Sequence, residues 1–333
     1  MTPNGTEIAV IDRWQRDFPM VERPFAELGR AAGIDETATI AMLRRLRDAG
    51  VLSRIGAVVK PNTIGASMLA AMRVPDERLD AVAEIVSREP LVNHSYERTH
   101  PINLWFVVAG LDWEGIRATV ERIEANTGLL VLQLPLVRAY HIDLGFSLTA
   151  EPRNRKQESS RPGSYSPTAI DRALLAAIED GLPLVKRPFA QISRQLEVAQ
   201  AEVVNRLRFL IAAGVISRFG CVVRHRLLGY TANAMAVWNI TDERVDAVAA
   251  LFARNPQVTL CYQRPRWLPE WPYNLFCMVH ARTRSQAYAV IDDLNLVGET
   301  GLSEQSVLLS TRCFKQRGAS FAAIGTGSSD AVH

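Results

Sequence analysis

The chain has 333 residues, 48% of them hydrophobic, which is enough to bury sizeable cores in two or more domains. Its net charge of +3 and pI near 8.7 are too mildly basic to argue for nucleic acid alone, but they suit an anionic ligand. Apolar runs such as Leu104–Leu111 are too short to cross a bilayer, and the opening MTPNGTE lacks the basic segment and apolar core of a secretory signal. The four cysteines, Cys221, Cys261, Cys277 and Cys313, form no C-x-x-C pair, so neither a zinc site nor a disulfide framework is expected. A reduced, cytoplasmic protein with no membrane partner is the expectation.

In chain order, Glu7–Phe18 shows helical spacing in Ile8, Ile11, Trp14 and Phe18, and Pro24–Ala32 reads as a short helix ending at Gly33. Asp35 is the N-cap expected for a helix over Glu36–Ala49, with Ile40, Leu43 and Leu46 on one face and Gly50 as its stop. VLSRIGAVV (Val51–Val59) then reads as a β-hairpin or wing, so residues 1–62 are expected to form a winged helix-turn-helix. Residues 63–148 follow as strand Ser67–Val74, helix Asp76–Arg88, strand Leu91–Arg98, strand Ile102–Ala109, helix Trp113–Asn126 and strand Leu130–Ile142. That order, βαββαβ, is the ferredoxin-like pattern.

Residues 149–166 are polar, rich in Pro, Gly and Ser and without periodicity, as in a flexible linker. Beyond them the sequence starts again. RPFAEL (Arg23–Leu28) returns as RPFAQI (Arg187–Ile192), and AGVLSRIG (Ala49–Gly56) as AGVISRFG (Ala213–Gly220). Asn103-Leu-Trp-Phe106 is answered by Asn274-Leu-Phe276 after an insertion, RWLPEWP, and Arg138-Ala-Tyr140 by Arg312-Cys-Phe314. A second winged helix-turn-helix is expected over 167–226, a second ferredoxin-like domain over 227–317, and a small, polar tail over 318–333. The fold class is thus α+β: a tandem repeat of winged helix-turn-helix plus ferredoxin-like domain, each sheet four-stranded and antiparallel with two helices on one face. Over nearly the whole chain, twice, this resembles the Lrp/AsnC family of transcription regulators.

A ligand-sensing regulator of that kind would bind DNA through its recognition helices. Here those helices open with acidic residues, DETAT from Asp35 and EVAQAE from Glu197, which suits a helix dipole and not a DNA backbone. Arg44, Arg45 and Arg47 lie toward the C-terminal end. The helices are expected to serve packing and dimerisation, and DNA is not an expected partner.

Residues two apart on a strand share a face. His94, Tyr96 and Arg98 therefore line one side of their strand, with Val92 before them and His100 continuing toward the turn. Tyr262 and Arg264 repeat the frame, with Leu260 where His94 stood. Polar groups on one strand face are often merely solvated; what argues against that here is the recurrence of the pair, and of Arg138/Tyr140 and Arg312/Phe314, in both copies.

YERTHPINLWF (Tyr96–Phe106), with RPF at Arg23 and SRIGAVV at Ser53, is similar to the siroheme decarboxylases, Lrp/AsnC-like proteins that remove carboxyl groups from siroheme's acetate side chains on the way to haem d1 or, by another route, haem. Members often work as two related subunits, and this chain resembles a fusion of both. One departure is Ile102, where the family usually has tyrosine; Tyr273 keeps it in the second copy. The resemblance implies siroheme as ligand, no cofactor beyond its iron, and assembly as a homo-oligomer or with homologous decarboxylase subunits. Eight carboxylates call for fixed cations, for which Arg98, Arg138, Arg264, Arg266 and Arg312 are candidates beside Tyr140 and Tyr262. Protonation of the carbon that loses CO2 needs a donor titrating near neutrality. His94 and His100 are the candidates, either of which could instead ligate the iron, and Tyr96 stands with them. On this reading the donor is needed in one copy only, and Trp267 and Trp271 of the insertion are placed to cover the macrocycle. His141 is a weaker candidate; His225 in the second wing and His280 at a strand end read as structural, and Cys261 and Cys277 as small core hydrophobes.

Overall fold

The computed structural model describes residues 3–142, 145, 148, 165–301 and 303–316; the expected tail and nearly all of the expected linker lie outside them. In copy one the elements are α1 (Gly5–Arg13), α2 (Pro24–Ala32), α3 (Glu36–Asp48), β1 (Leu52–Val59), β2 (Ala66–Met72), α4 (Leu79–Arg88), β3 (Val92–Arg98), β4 (Leu104–Gly110), α5 (Trp113–Thr127), β5 (Leu132–Pro135) and β6 (Arg138–Ile142). Copy two gives α6 (Ala169–Ala177), α7 (Pro188–Gln195), α8 (Gln200–Ala212), β7 (Ile216–Val223), β8 (Ala232–Trp238), α9 (Val245–Phe252), β9 (Val258–Gln263), β10 (Leu275–Ala281), α10 (Arg284–Gly298) and β11 (Gln305–Gln316). Like pairs with like. The described residues of Met1–Ile64 and Ser147–Leu228 form one compact unit, and those of Gly65–Phe146 and Gly229–Ala319 the other.

In the helical unit the local signals act as expected. Asp35 accepts the Ala38 N–H at 2.8 Å, Pro24 occupies the first turn of α2, and Gly33 closes it at φ 70°. Helix α1 stops at Arg13, short of the expected Phe18, because the Trp14 carbonyl leaves the helix ladder and accepts the Cys221 N–H at 2.7 Å. Cys221 belongs to β7, which exposes the larger correction. The wing is no hairpin within a copy. After Val59 the chain runs into Lys60-Pro61, with no return strand, and β1 instead pairs antiparallel with β7, Gly56 opposite Gly220. Arg44 of α3 donates to the Leu184 carbonyl at 2.7 Å, and Arg208 of α8 to that of Met20 at 2.9 Å, so each copy's recognition helix grips the other copy. Arg45 pairs with Glu7 and Arg206 with Asp171, at 2.9 Å for the latter.

The sheet unit departs further from two independent halves. The expected strand Leu130–Ile142 breaks at Leu136–Val137: β5 pairs with β2 of its own copy, β6 with β9 of the other. Strand β11 runs unbroken, its first half on β8 and its second on β3 of copy one. The strand order is β5-β2-β4-β3-β11-β8-β10-β9-β6. Its two margins are successive pieces of one segment, so the exchange of last strands joins the copies into one sheet system. Strand alternation then distributes three cores. Met68, Ala70, Val92, Phe106 and Val108 pack under α4 and α5. Ala234, Trp238, Cys261, Cys277 and Val279 pack under α9 and α10. Leu69, Trp105, Leu134, Met235, Tyr262, Trp271, Phe276, Met278 and Leu308 of both copies fill the inner face between the sheets.

The β1–β7 ribbon supplies a test. A Cβ on Gly220 would lie 2.3 Å from the Trp14 carbonyl oxygen, whereas one on Gly56, its partner, meets nothing nearer than Gly181 Cα at 3.4 Å. In urea unfolding Gly220→Ala is expected to cost about 1–3 kcal/mol, as overpacking against fixed backbone does, and Gly56→Ala to stay within about 0.5 kcal/mol of the wild type.

Candidate functional site

Strand β3 carries a bulge between Val92 and His94, opposite Val108 and Val107. The extra residue breaks the alternation. Val92 therefore does not share the face of His94, Tyr96 and Arg98; it faces helices α4 and α5, whereas Arg98 faces the inner core. The bulge residue is used at once: Asn93 Oδ1 lies 3.0 Å from His94 Nδ1. An amide oxygen only accepts, so Nδ1 carries the proton and Nε2 is the basic nitrogen of the ring. The His94 and Tyr96 rings stack with centroids 6.3 Å apart, and the Arg98 guanidinium stands 5.9 Å from the Tyr96 ring.

Arg98 is 8% exposed and, among the described residues, meets no carboxylate. Its NH1 donates to the Leu308 carbonyl at 3.3 Å, its NH2 lies 3.9 Å from Met278 Sδ, and its Nε–H has no acceptor. Burial pushes it down to about 10. Arg264, the repeat, behaves alike: it donates to the Leu134 carbonyl, stands 4.6 Å over Tyr262, is lowered by burial, and has an unpaired Nε–H. Two buried guanidiniums with no acid among the described residues are costly to keep.

The other arginines are already engaged. Arg138 of β6 donates to Asp246 at 2.5 Å, and Tyr140 bonds the same carboxylate, which with burial raises its pKa. Arg312 of β11 holds Glu97 at 2.6 Å and Asp80 at 2.7 Å. These are one contact made twice, each exchanged strand pinned to the first turn of the other copy's helix. Arg266 holds Asp242 at 2.8 Å, Asn239 and the Ile240 carbonyl. A ligand carboxylate reaching any of these three would have to displace a protein one.

His100 lies past Arg98, in the turn before β4. Ile102 N–H donates to its Nδ1 at 3.0 Å, so its proton sits on Nε2, the reverse of His94. Burial, with the charge of Arg73, lowers its pKa. Its ring meets Trp271, the second copy's counterpart, edge-on at 5.4 Å. Trp271 is buried against Trp105 and Tyr273, so it is a core residue and no cover. Trp267 instead donates to the Gln133 carbonyl at 3.0 Å and, with Trp113, Ile116 and Arg117, lines a groove of about 470 Å³ on the helix-covered side of the sheet. His141 stands in β6 opposite Cys261, and His225 opens a short turn after β7. Cys261 and Cys277 face each other across β9 and β10 inside the core.

His280, read from the sequence as structural, packs inside the sheet unit. It lies on β10 two residues from Met278, on the inner face, with Nδ1 3.0 Å from Thr259 Oγ1. Nothing in its local sequence marks it, since its neighbours come from β8 and β9. Burial and the Arg98 charge push it down to about 4 from an ordinary 6.5. The folded protein thus keeps His280 neutral where the unfolded chain would bind a proton. The stability this contributes is present above about pH 6.5 and lost as pH falls toward 4. In urea titrations His280→Ala is expected to show a flatter decline than the wild type across that window; equal slopes would mean a solvated imidazole.

Two winged helices and two ferredoxin-like domains, paired copy to copy through exchanged strands, define a tandem Lrp/AsnC-like protein. The AsnC-like ligand binding domain model matches residues 64–141 and 227–315, and the Siroheme decarboxylase NirDL-like HTH domain model residues 7–52 and 171–216. The chain is 46% identical over 326 residues to the siroheme decarboxylase NirDL subunit of Paracoccus denitrificans, covering 97% of this chain and 99% of that one. A crystal structure of the siroheme decarboxylase NirDL superposes with TM-score 0.68 at 27% identity, over 95% of this chain and 94% of that one. A NirDL crystal structure in co-complex with an iron-uroporphyrin III analogue gives 0.66 at 26% identity, with the same coverage. The chain belongs to the siroheme decarboxylase family.

Proposed function

We propose that this protein is a carboxy-lyase that converts siroheme to 12,18-didecarboxysiroheme by removing acetate carboxyl groups, in haem d1 biosynthesis. Alongside the family membership, the observation that carries the reading is the inner strand face: two histidines flanking a buried guanidinium that has no acid among the described residues. Arg98 and Arg264 hold substrate carboxylates, which supply the counter-charges that the fold withholds. The iron arrives with the substrate. The macrocycle accepts the electrons released with CO2, and no further cofactor enters. The two tautomers divide the work. His94 offers an unprotonated Nε2 that suits an iron ligand or base and, once protonated, a donor to the carbon; neutral His100 offers an Nε2–H for a hydrogen bond to the substrate and delivers a proton only from its imidazolium form. Tyr96 and Tyr262 brace the guanidiniums from below. The setting is the cytoplasm, and the assembled form a homo-oligomer or a complex with homologous subunits. The regulator reading is not favoured: Arg44 and Arg208 of the recognition helices are spent on carbonyls of the opposite copy.

Anaerobic incubation with siroheme, read by mass for loss of CO2, tests the activity; an unchanged mass with bound siroheme would leave a haem-binding module without catalysis. His94→Ala and His100→Ala are each expected to slow single-turnover decarboxylation by about 10²–10⁴ while siroheme stays bound, and Leu260→Ala to have a packing effect only. Loss of binding in His94→Ala would favour iron ligation over proton chemistry.

The cations separate by their partners. Arg98→Ala and Arg264→Ala are each expected to weaken siroheme binding by about 1.5–3 kcal/mol. Arg138→Ala and Arg312→Ala, whose side chains already hold carboxylates, are expected to change it by less. Equal losses at all four positions in a spectroscopic titration would show that Asp246, Asp80 and Glu97 give way to the ligand.

A further inference from the structure

The sheet unit has two seams where a copy's last strand crosses to the other copy, and they are closed differently. At the β11 crossing, Thr99 N–H donates to the Leu309 carbonyl at 3.0 Å and Leu309 N–H to Thr99 Oγ1 at 2.9 Å. These two bonds clasp the strand where it leaves β8 for β3. At the crossing from β5 to β6 the repeat puts Pro265 where Thr99 stands and Pro135 where Leu309 stands. Neither proline has an N–H, so neither bond of the clasp can form. The end of β5 is tied by side chains instead: Arg264 donates to the Leu134 carbonyl, and Trp267 Nε1–H to that of Gln133 at 3.0 Å. Backbone pairing resumes at Val137, whose N–H meets the Gln263 carbonyl at 2.9 Å.

The unclasped seam lies on the groove of about 470 Å³, which Pro135 and Pro265 line together with Trp113, Arg117, Gln133 and Trp267. Leu132 and Leu134 belong to the core between the sheets, so alternation turns Gln133 and Pro135 to the groove side. Trp267 packs against that same core. Only the margin of β5, the outermost strand on that side, separates the groove from the inner face. Trp113 is 42% exposed, and Arg117, one turn along α5, is exposed and meets no carboxylate among the described residues. Copy two keeps neither, with Arg284 in place of Trp113 and Tyr288 in place of Arg117. Two indoles and an unengaged guanidinium around an open slot suit a flat polyanionic ring, through its face and through its charge.

We infer that this groove is the docking site from which the substrate macrocycle reaches the inner face, with the proline seam as its entrance. Trp113 and Trp267 take one edge of the ring and Arg117 a peripheral carboxylate. A second carboxylate then replaces the Leu134 carbonyl on Arg264, because a charged acceptor bonds a guanidinium more strongly than a neutral one does. That exchange frees the end of β5, where there is no backbone clasp to break. The Thr99–Leu309 clasp keeps the opposite seam shut. The inference rests on the siroheme reading and adds to it the side of the pseudo-symmetric sheet unit that admits the ligand.

The test follows binding of iron-uroporphyrin III to the full chain by anaerobic stopped-flow absorbance, with siroheme decarboxylation rates and urea midpoints alongside. Pro135→Leu with Pro265→Thr rebuilds the clasp from residues that the same fold uses in its other half. This double variant is expected to slow association and dissociation by about tenfold each, leaving Kd within about threefold of the wild type. Its kcat/KM for siroheme should fall with the association rate. Arg117→Ala is expected to slow association about threefold and to flatten its salt dependence. Trp113→Ala should also slow it, and Tyr288→Ala on the other copy's helix should not. Wild-type association by a folded double variant would overturn the inference and leave the decarboxylase reading standing. If the double variant unfolds at lower urea, the exposed positions decide, and wild-type association in both Trp113→Ala and Arg117→Ala would overturn it. So would a Kd that rises through faster dissociation alone, since the groove would then belong to the final site. A wild type that binds neither iron-uroporphyrin III nor siroheme would overturn both readings.

Discussion

The exchange of the last strand between the two copies is the constraint on which the rest of the sheet unit depends. A ferredoxin-like sheet with helices on one face leaves its other face, and one edge, to be covered. Here β6 adds to β9 and the second half of β11 to β3, each pinned by an arginine to the helix of the copy it joins. The faces left bare by the helices then bury one another, and residues such as Trp105, Phe276 and Leu308 form a core that neither copy owns. The exchange also explains why Arg138 and Arg312 both persist: they fasten the strands that make one molecule of two repeats.

Within that shared core, the buried guanidiniums stand out energetically. A fold optimised for stability alone would replace Arg98 and Arg264 by apolar side chains, since each gives up its hydration for carbonyl, sulfur and ring contacts that do not balance its charge. Their burial beside half-buried histidines supports the proposed site for a polyanionic ligand. Local conflict between burial and charge is commonest where a protein does chemistry.

Carrying both copies on one chain lets the two halves differ. At positions related by the repeat, His94 faces Leu260 and Asn233 answers Ser67, while the hydrophobic framework around them is held in common. A symmetric dimer would have to present every group twice. A chain with two non-identical copies can carry an imidazole at one position and apolar packing at its repeat.

The amino-acid sequence by itself determined the repeat, the element order and the caps, because apolar periodicity, Asp35, Pro24 and Gly33 act within a few residues of themselves. The face shared by His94, Tyr96 and Arg98 was legible for the same reason, as strand alternation is local. Only the tertiary structure decided what those elements pair with. Nothing near Val51–Val59 says that its partner lies in β7, and nothing near Leu130–Ile142 says that the strand divides between two copies, since pairing energy comes from residues more than a hundred positions away. Likewise a bulge turned Val92 from its expected face, carboxylates of the opposite copy claimed Arg138 and Arg312, and His280 joined Arg98 through strands remote in sequence. A side chain's type is local, but whether its charge is matched, and by what, is settled by neighbours that only folding brings within a few ångströms.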